Sequence, residues 1–286
     1  TVLCSGGEYR RREQSMVTIE NRRFSIPQIC ESGQCFRLDP AGGDTYELIA
    51  GDRWLGIRAG GEETVLSCPQ EEYEEFWKSY FDLETDYQHY LDRISGDDLY
   101  LTEAARFGSG IRILRQDTWE MIITFILSQQ NNIRRIKGLI RALSERYGTR
   151  CRKPDGTAYY AFPDVQSLAA ASEEELREMK LGYRSRYICG AARMIAEGGV
   201  DLGSLPEMEY ARAREELIKL PGIGRKVADC ICLFALHQMD AFPVDTHIQK
   251  ALDAHYRDGF PFEQYQGCAG VMQQYIFYYD LKGETK

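Results

Sequence analysis

No stretch of the 286-residue chain approaches the roughly twenty consecutive apolar residues of a membrane-spanning helix, so no helical membrane span is expected. The first residues lack the apolar core of a signal peptide, and residues 1–20 read as a polar tail. None of the nine cysteines forms a Cys-x-x-Cys pair, which argues against a zinc ribbon or a thioredoxin motif. No four-cysteine run of iron–sulfur spacing is present either. Neither of these metal centres is expected, and the lysine chemistry described below requires no metal or organic cofactor. The odd count and irregular spacing of the cysteines fit free thiols in a reducing compartment. Internal repeats and low-complexity linkers are also missing.

Positive charge is in deficit, with a net charge of -9. On the total alone this is a poor nucleic-acid binder, but the distribution matters more than the sum. Acid concentrates at Glu71–Glu75, Asp82–Asp86, Asp97–Asp98 and Glu173–Glu175. Between Arg106 and Lys153 the sign reverses, with Arg112, Arg115, Arg134, Arg135, Lys137, Arg141, Arg146, Arg150 and Arg152. A charge run is ordinarily a solvated helix face. This one flanks a polar turn, Gln129-Gln130-Asn131-Asn132, which gives it a second reading.

Residues 22–68 alternate and are rich in strand formers: Phe24–Ile26, Cys35–Leu38, Tyr46–Ile49, Trp54–Arg58 and Thr64–Leu66. Short glycine-bearing gaps separate them, the pattern of an antiparallel meander. From about residue 71 the period becomes helical. Helices are expected at 72–81, 86–94, 100–107, 118–128, 133–147, 165–171, 173–179, 184–197, 208–219, 225–235, 246–255 and 262–279. The 118–128 helix is almost wholly apolar and should be buried. The fold class is α+β, an antiparallel sheet region followed by an all-helical region. The division is a polar tail over 1–20, a sheet domain over 21–103 and a helical domain over 104–282.

Most of the functional content lies between Leu220 and His247. Pro221-Gly222-Ile223-Gly224 is a tight turn between two helical patterns, where glycine permits positive φ and close approach of a partner. A helix opening just after Gly224 presents unpaired N–H groups, a ready anion site suited to phosphate. Lys226 stands in that first turn. As an isolated residue it would be an ordinary surface lysine, yet the helix it begins is otherwise apolar. A helix N-terminus is also an unfavourable place for a cation. Partial dehydration there would make a nucleophilic amine. Asp245, in Pro243-Val244-Asp245, is ideally placed to cap the next helix. A capped carboxylate is also fixed and aimed, so the two readings agree. An amine and a carboxylate across one cleft suit attack at a sugar carbon, with the carboxylate stabilising positive charge as a base departs.

With these residues the chain resembles the 8-oxoguanine DNA glycosylase/lyases of the helix-hairpin-helix, Gly/Pro–Asp superfamily, from about Phe24 to Leu281. The resemblance implies a two-lobed helical domain with the active site in the cleft between lobes. It implies Lys226 as Schiff-base nucleophile and Asp245 as the acidic residue. Gly33, in Ser32-Gly33-Gln34-Cys35-Phe36-Arg37, resembles the glycine whose carbonyl accepts from N7–H of oxidised guanine. Normal guanine carries an acceptor at N7, so that one contact discriminates. Cys230 and Phe277 resemble the two faces that sandwich the flipped base, and Gln273 the reader of its Watson–Crick edge. Gly222, Gly224 and His247 resemble phosphate contacts. Gln130, Asn131 and Asn132 resemble the loop entering the vacated space, Tyr183 the wedge, and Arg135 with Arg184 the readers of the estranged cytosine. Gln130 departs from the commonest eukaryotic pattern, which has Asn there.

Singly, each of these residues has a bland alternative. Gln273 and Phe277 could be any i, i+4 pair, Cys230 core filler, and Tyr183 a packed loop aromatic. Together they occur in the order one family demands. The expectation is a monomeric bifunctional glycosylase acting on damaged double-stranded DNA, with cytosine preferred opposite 8-oxoguanine. It would be cytoplasmic and associated with the nucleoid of a bacterium or archaeon. Two rivals share the turn: a monofunctional alkylbase glycosylase, which needs no lysine, and a non-catalytic helix-hairpin-helix DNA-binding module.

Overall fold

The alternation of strand formers closes into a five-stranded antiparallel sheet of order β1-β5-β4-β3-β2, seen in a computed structural model that describes residues 15–283. Its strands are β1 (Val17–Glu20), β2 (Leu38–Gly42), β3 (Thr45–Ala50), β4 (Arg53–Gly60) and β5 (Glu63–Leu66). The pairs Leu48↔Leu55 and Ile57↔Leu66 set the register, so that one face collects buried aliphatic residues. Against that face pack α1 (Ile26–Glu31) and an aromatic group of Trp77, Tyr80 and Phe81. Trp77 ends a π-helical turn (Tyr73–Trp77) that follows α2 (Gln70–Glu72), Tyr80 ends α3 (Lys78–Tyr80), and Phe81 is the residue after it.

Three differences from the sequence reading lie in this region. Phe24–Ile26 is not a strand. Ser25 caps α1, accepting from Gln28 N, with Pro27 in the first turn; its two apolar neighbours are buried, which mimics strand alternation. Cys35–Arg37 is loop, and pairing starts only at Leu38. Most of the expected tail lies outside the described residues, but its last four residues form β1, paired with β5.

The helical part comprises α4 (Tyr87–Leu91), α5 (Leu99–Phe107), α6 (Thr118–Ser128), α7 (Ile133–Tyr147), α8 (Val165–Ala170), α9 (Glu173–Glu178) and α10 (Arg184–Ala196). It continues through α11 (Tyr210–Ile218), α12 (Arg225–Phe234), α13 (Thr246–His255) and α14 (Ala269–Lys282). Every residue of α6 from Trp119 to Leu127 is buried, as its composition demanded. The region is not purely helical, because a small hairpin of β6 (Arg150–Arg152) and β7 (Ala158–Tyr160) follows α7. The last helix begins at Ala269 rather than Phe262. Residues 256–268 turn back, with Gly259 and Gly267 at positive φ, and Phe260 and Phe262 pack on Phe242. Among the described residues no helix is long and apolar enough to cross a membrane, and every cysteine is an unpaired thiol.

Two polar ties lock the sheet region to the helices. Glu120 on α6 meets Arg37 at 3.3 Å, with both side chains buried. Asp82, 2 % exposed, accepts from Thr85 (2.9 Å), Tyr87 (3.0 Å) and Arg115 (3.0 Å), and His237 lies at 3.3 Å. Burial pushes the Asp82 carboxyl up, but His237, Thr85 and Arg115 outweigh it and the pKa is lowered. A carboxylate lowered on folding contributes stability above the unfolded pKa of about 3.9, and that contribution is lost as pH falls through the folded value. Asp82→Asn should therefore cost about 2–3 kcal/mol in urea unfolding at pH 7, and the deficit should shrink below about pH 4. An equal deficit at pH 7 and pH 3 would show that the charge of Asp82 does not matter.

Candidate active site

Helices α11 and α12 are joined by the short turn that the sequence singled out. Ile223 is buried and its N–H donates to Leu220 O at 3.1 Å, which closes the turn. Gly222 has φ +83, and a Cβ there would stand 2.6 Å from Tyr187 Cγ, so both conformation and space demand glycine. Gly224 is different. Its φ of -93 is ordinary, and nothing lies within 4 Å of where its Cβ would be. The expectation of left-handed backbone therefore holds at Gly222 and not at Gly224. Gly224 caps α12 without a side chain, leaving the first-turn N–H groups open toward solvent.

Lys226 projects from that first turn and is exposed, whereas residues 227–234 of α12 are buried. The partial dehydration expected of it is absent: it sits on the solvent edge of an otherwise sunken helix. One turn further on, Cys230 is 3 % exposed and its thiol is pushed up to about 11 by burial. The positive charge of Lys226 and its hydrogen bond to this thiol act in the opposite direction, and the charge of Asp245 pushes it up. Lys226 and Asp245 thus flank one buried thiol that stays protonated at neutral pH. Asp245 caps α13, its Oδ1 accepting from Ile248 N at 2.9 Å. Capping and orientation are one arrangement here.

A second group abuts the first. Gly33, at φ +75, lies against Phe277, whose Cε1 would be 3.1 Å from a Cβ on residue 33. Gln34 holds this loop in place: its amide donates to Ser32 Oγ and Arg112 O, each at 2.9 Å, and accepts from Leu114 N at 2.9 Å. Gln273, one turn before Phe277, is buried and donates to Pro243 O at 3.0 Å, two residues before Asp245. Its Oε1 accepts from Gln274 at 3.2 Å, so contact with a ligand requires exchange of these bonds. His247 packs edge-on to Phe277, with ring centroids 5.8 Å apart, and its Nδ1 is 2.7 Å from Asp280 Oδ2. That leaves Nε2 as the ring nitrogen open to another partner.

The third group borders the hairpin. Gln130 is exposed at φ +47. Asn131 Nδ2 donates to Leu127 O at 3.1 Å, and Asn132 caps α7, accepting from Arg135 N at 2.9 Å. Arg135 is exposed and donates to Lys180 O at 3.2 Å. Arg184 is only 5 % exposed; it bonds Gln129 O and Gln130 O and lies 4.7 Å over the exposed ring of Tyr183. Contacts therefore link Gly33 to Phe277 and His247, Lys226 and Asp245 to Cys230, and the hairpin to the 129–132 turn, with Cys230, Gln273 and Arg184 buried.

Two family models match consecutive parts of the chain. Residues 16–122 match the N-terminal domain of 8-oxoguanine DNA glycosylase, and residues 123–259 match the HhH-GPD superfamily of base excision DNA repair proteins. The 8-oxoguanine glycosylase/lyase of Clostridium acetobutylicum, in complex with double-stranded DNA containing cytosine opposite 8-oxoG, is 35% identical. The match covers 95% of this chain and 97% of that one, with a TM-score of 0.87. The chain belongs to the 8-oxoguanine DNA glycosylase family.

Other members of the family are similar over less of their length. The N-glycosylase/DNA lyase OGG1 of Arabidopsis thaliana is 33% identical over 80% of this chain and 66% of its own length. The N-glycosylase/DNA lyase of Saccharomyces cerevisiae is 37% identical over 62% of this chain and 50% of its own. The chain thus spans half to two thirds of these curated relatives. The 3-methyladenine DNA glycosylase of Archaeoglobus fulgidus, 19% identical with a TM-score of 0.72, shares the fold alone.

Sequence reasoning missed four residues that shape this site. Asp280 fixes His247, Tyr187 packs beneath Gly222, Gln34 holds Gly33, and Asp229 on α12 accepts from Tyr210 at 2.6 Å. A faint signal existed for Asp229 and Asp280, which are acids inside apolar helical runs. The two hairpin glycines make a paired prediction. Gly222→Ala should destabilise the fold by about 2–3 kcal/mol in urea, from strain and collision with Tyr187. Gly224→Ala should leave unfolding within about 0.5 kcal/mol yet weaken duplex binding, because its methyl group faces the anion site. Equal stability of the two variants would contradict this division.

Proposed function

We propose that this chain is a bifunctional DNA glycosylase/AP lyase that removes 8-oxoguanine from duplex DNA, preferring cytosine opposite the lesion. The observation that carries this reading is the placing of Lys226 and Asp245 about Cys230, directly behind a hairpin whose helix start has no side-chain cap and suits a phosphate. A scaffold that only holds DNA has no use for an amine and a carboxylate at one point. A glycosylase relying on aspartate and water has no use for the amine.

An anomeric carbon inside stacked duplex is out of reach, so the nucleotide must rotate out, at a cost of a few kcal/mol. The amides after Gly224, together with His247, suit phosphates of the bent strand and read no sequence. The extruded base would lie between Cys230 and Phe277, with the Gly33 carbonyl at N7–H and Gln273 at the Watson–Crick edge. As the base departs, Asp245 stabilises the positive charge developing at C1′. Lys226, losing a proton, bonds C1′ as the C1′–base bond breaks and the base leaves with the bonding electrons and a proton; the C1′–O4′ bond then opens, O4′ taking up a proton, and the amine nitrogen is left as a protonated imine. The imine acidifies the C2′ proton; its removal expels the 3′ phosphate and nicks the strand. Because Lys226 is exposed in the protein itself, the DNA backbone and sugar must supply its dehydration. Arg135 and Arg184 are assigned to the estranged cytosine, Gln130 to Asn132 to the vacated space, and Tyr183 to the wedge. These assignments rest on the resemblance and on their common position beside the hairpin.

Lys226→Gln should bind an 8-oxoguanine duplex within about threefold of the parent protein while losing excision and borohydride trapping. Asp245→Asn should keep the helix cap and the melting behaviour but excise about 10²–10³-fold more slowly. Trapping that survives Lys226→Gln would place the nucleophile elsewhere. Unchanged excision by Asp245→Asn would remove the carboxylate from the mechanism.

A further inference from the structure

We infer that Gln129 is a positioning residue that couples the gap-filling turn to the phosphate-gripping hairpin, and thereby sets part of the opposite-base preference. The inference rests on the proposed glycosylase reading but invokes a side chain that the reading does not use. Gln129 closes α6, and its backbone has left the helix, with φ -60 and ψ 124. Its side-chain amide donates to Gly222 O at 2.8 Å, across to the turn between α11 and α12. Its own carbonyl accepts from Arg184, and the Tyr183 hydroxyl lies 3.4 Å from the same oxygen. One residue therefore touches the wedge, the buried arginine and the hairpin.

The surrounding contacts make this a closed circuit. Tyr183 meets Tyr187 edge-to-face, with centroids 5.9 Å apart, and Tyr187 packs beneath Gly222, where no side chain fits. Arg184 uses a single nitrogen, Nη2, for Gln129 O and Gln130 O, while its buried Nε has no partner among the described residues. Gln130 sits at φ +47, a conformation that a non-glycine residue holds only when its neighbours impose it. Two carbonyls gripped by one guanidinium, together with an amide tied to Gly222, are that imposition. Gln130, assigned to the vacated space, and Arg184, assigned to the estranged cytosine, are thus fixed relative to the proposed phosphate grip through Gln129. A displacement of about 1 Å in such a constellation can cost on the order of a hundredfold in rate. Ordinary helix C-capping explains neither the cross-chain bond to Gly222 nor the double grip by Arg184.

The test compares the parent protein with Gln129→Ala, which deletes the donor, and Gln129→Glu, which sets a carboxylate against the Gly222 carbonyl. Both variants should unfold in urea as the parent does, bind undamaged duplex within about twofold, and cleave a preformed abasic site at a near-parental rate. Single-turnover excision opposite cytosine should fall about tenfold, and the ratio of excision opposite cytosine to that opposite adenine should fall by a similar factor. A general structural defect would lower abasic-site cleavage as well and leave the ratio alone. Hydrogen exchange on the protein without DNA reads the same coupling independently of catalysis. Gln129→Ala should raise exchange at residues 130–132 and at 222–226 together. Unchanged opposite-base ratios in both variants would overturn the inference. If the parent protein proved inert on 8-oxoguanine, the catalytic reading would fall by itself. Exchange would then decide the coupling, which fails if only residues 130–132 respond.

Discussion

Helix α12 is held at both ends and along its buried face, and the place of Lys226 follows from that hold. At its start Gly222 rests on Tyr187. At its end Gln116 N donates to Phe234 O at 3.1 Å, tying the helix to the segment before α6. In its middle Asp229 is buried and accepts from Tyr210 at 2.6 Å, with Arg214 at 3.6 Å. Burial raises the Asp229 carboxyl despite both partners, so removing either partner would leave a costly polar group inside. Across the helix, Gly270 lets α14 approach until a Cβ there would stand 2.3 Å from Leu233 Cδ1. A helix clamped in this way cannot rotate, and only its first turn meets solvent.

That clamp fits an acidic chain to the DNA-facing chemistry we propose. The net charge of -9 is a property of the whole chain, and the proposed contact face offers backbone N–H groups, a few arginines and one exposed amine. Backbone amides attract phosphate without demanding a basic protein overall. The protonated Cys230 thiol beneath Lys226 offers a hydrogen-bonding partner without a competing full charge. The amine is therefore oriented but still wet, and in the mechanism we propose the substrate completes its desolvation.

The parts legible in the sequence were those fixed by local rules. The Asp245 cap and the Gly222 turn announce themselves because helix capping and left-handed backbone require particular residues at fixed offsets. The long apolar run of α6 could only be a core helix. What stayed hidden depends on tertiary partners. Phe24–Ile26 alternates like a strand because burial on both sides of a capping serine gives the same pattern. β1 is short and takes its identity from pairing with β5. Gln129 looked like one more amide in a polar turn until the fold brought Gly222 beneath it. Lys226 looked half-buried from its apolar neighbours, yet the first turn of a sunken helix can still face water.

The central claim is that one particular amine bonds the sugar. It is tested most directly by reducing the protein–DNA adduct with borohydride on an 8-oxoguanine duplex, digesting it, and locating the modified residue by mass spectrometry. The deoxyribose remnant is expected on Lys226 and on no other amine. A remnant on Lys219, Lys250 or any other lysine would contradict the account.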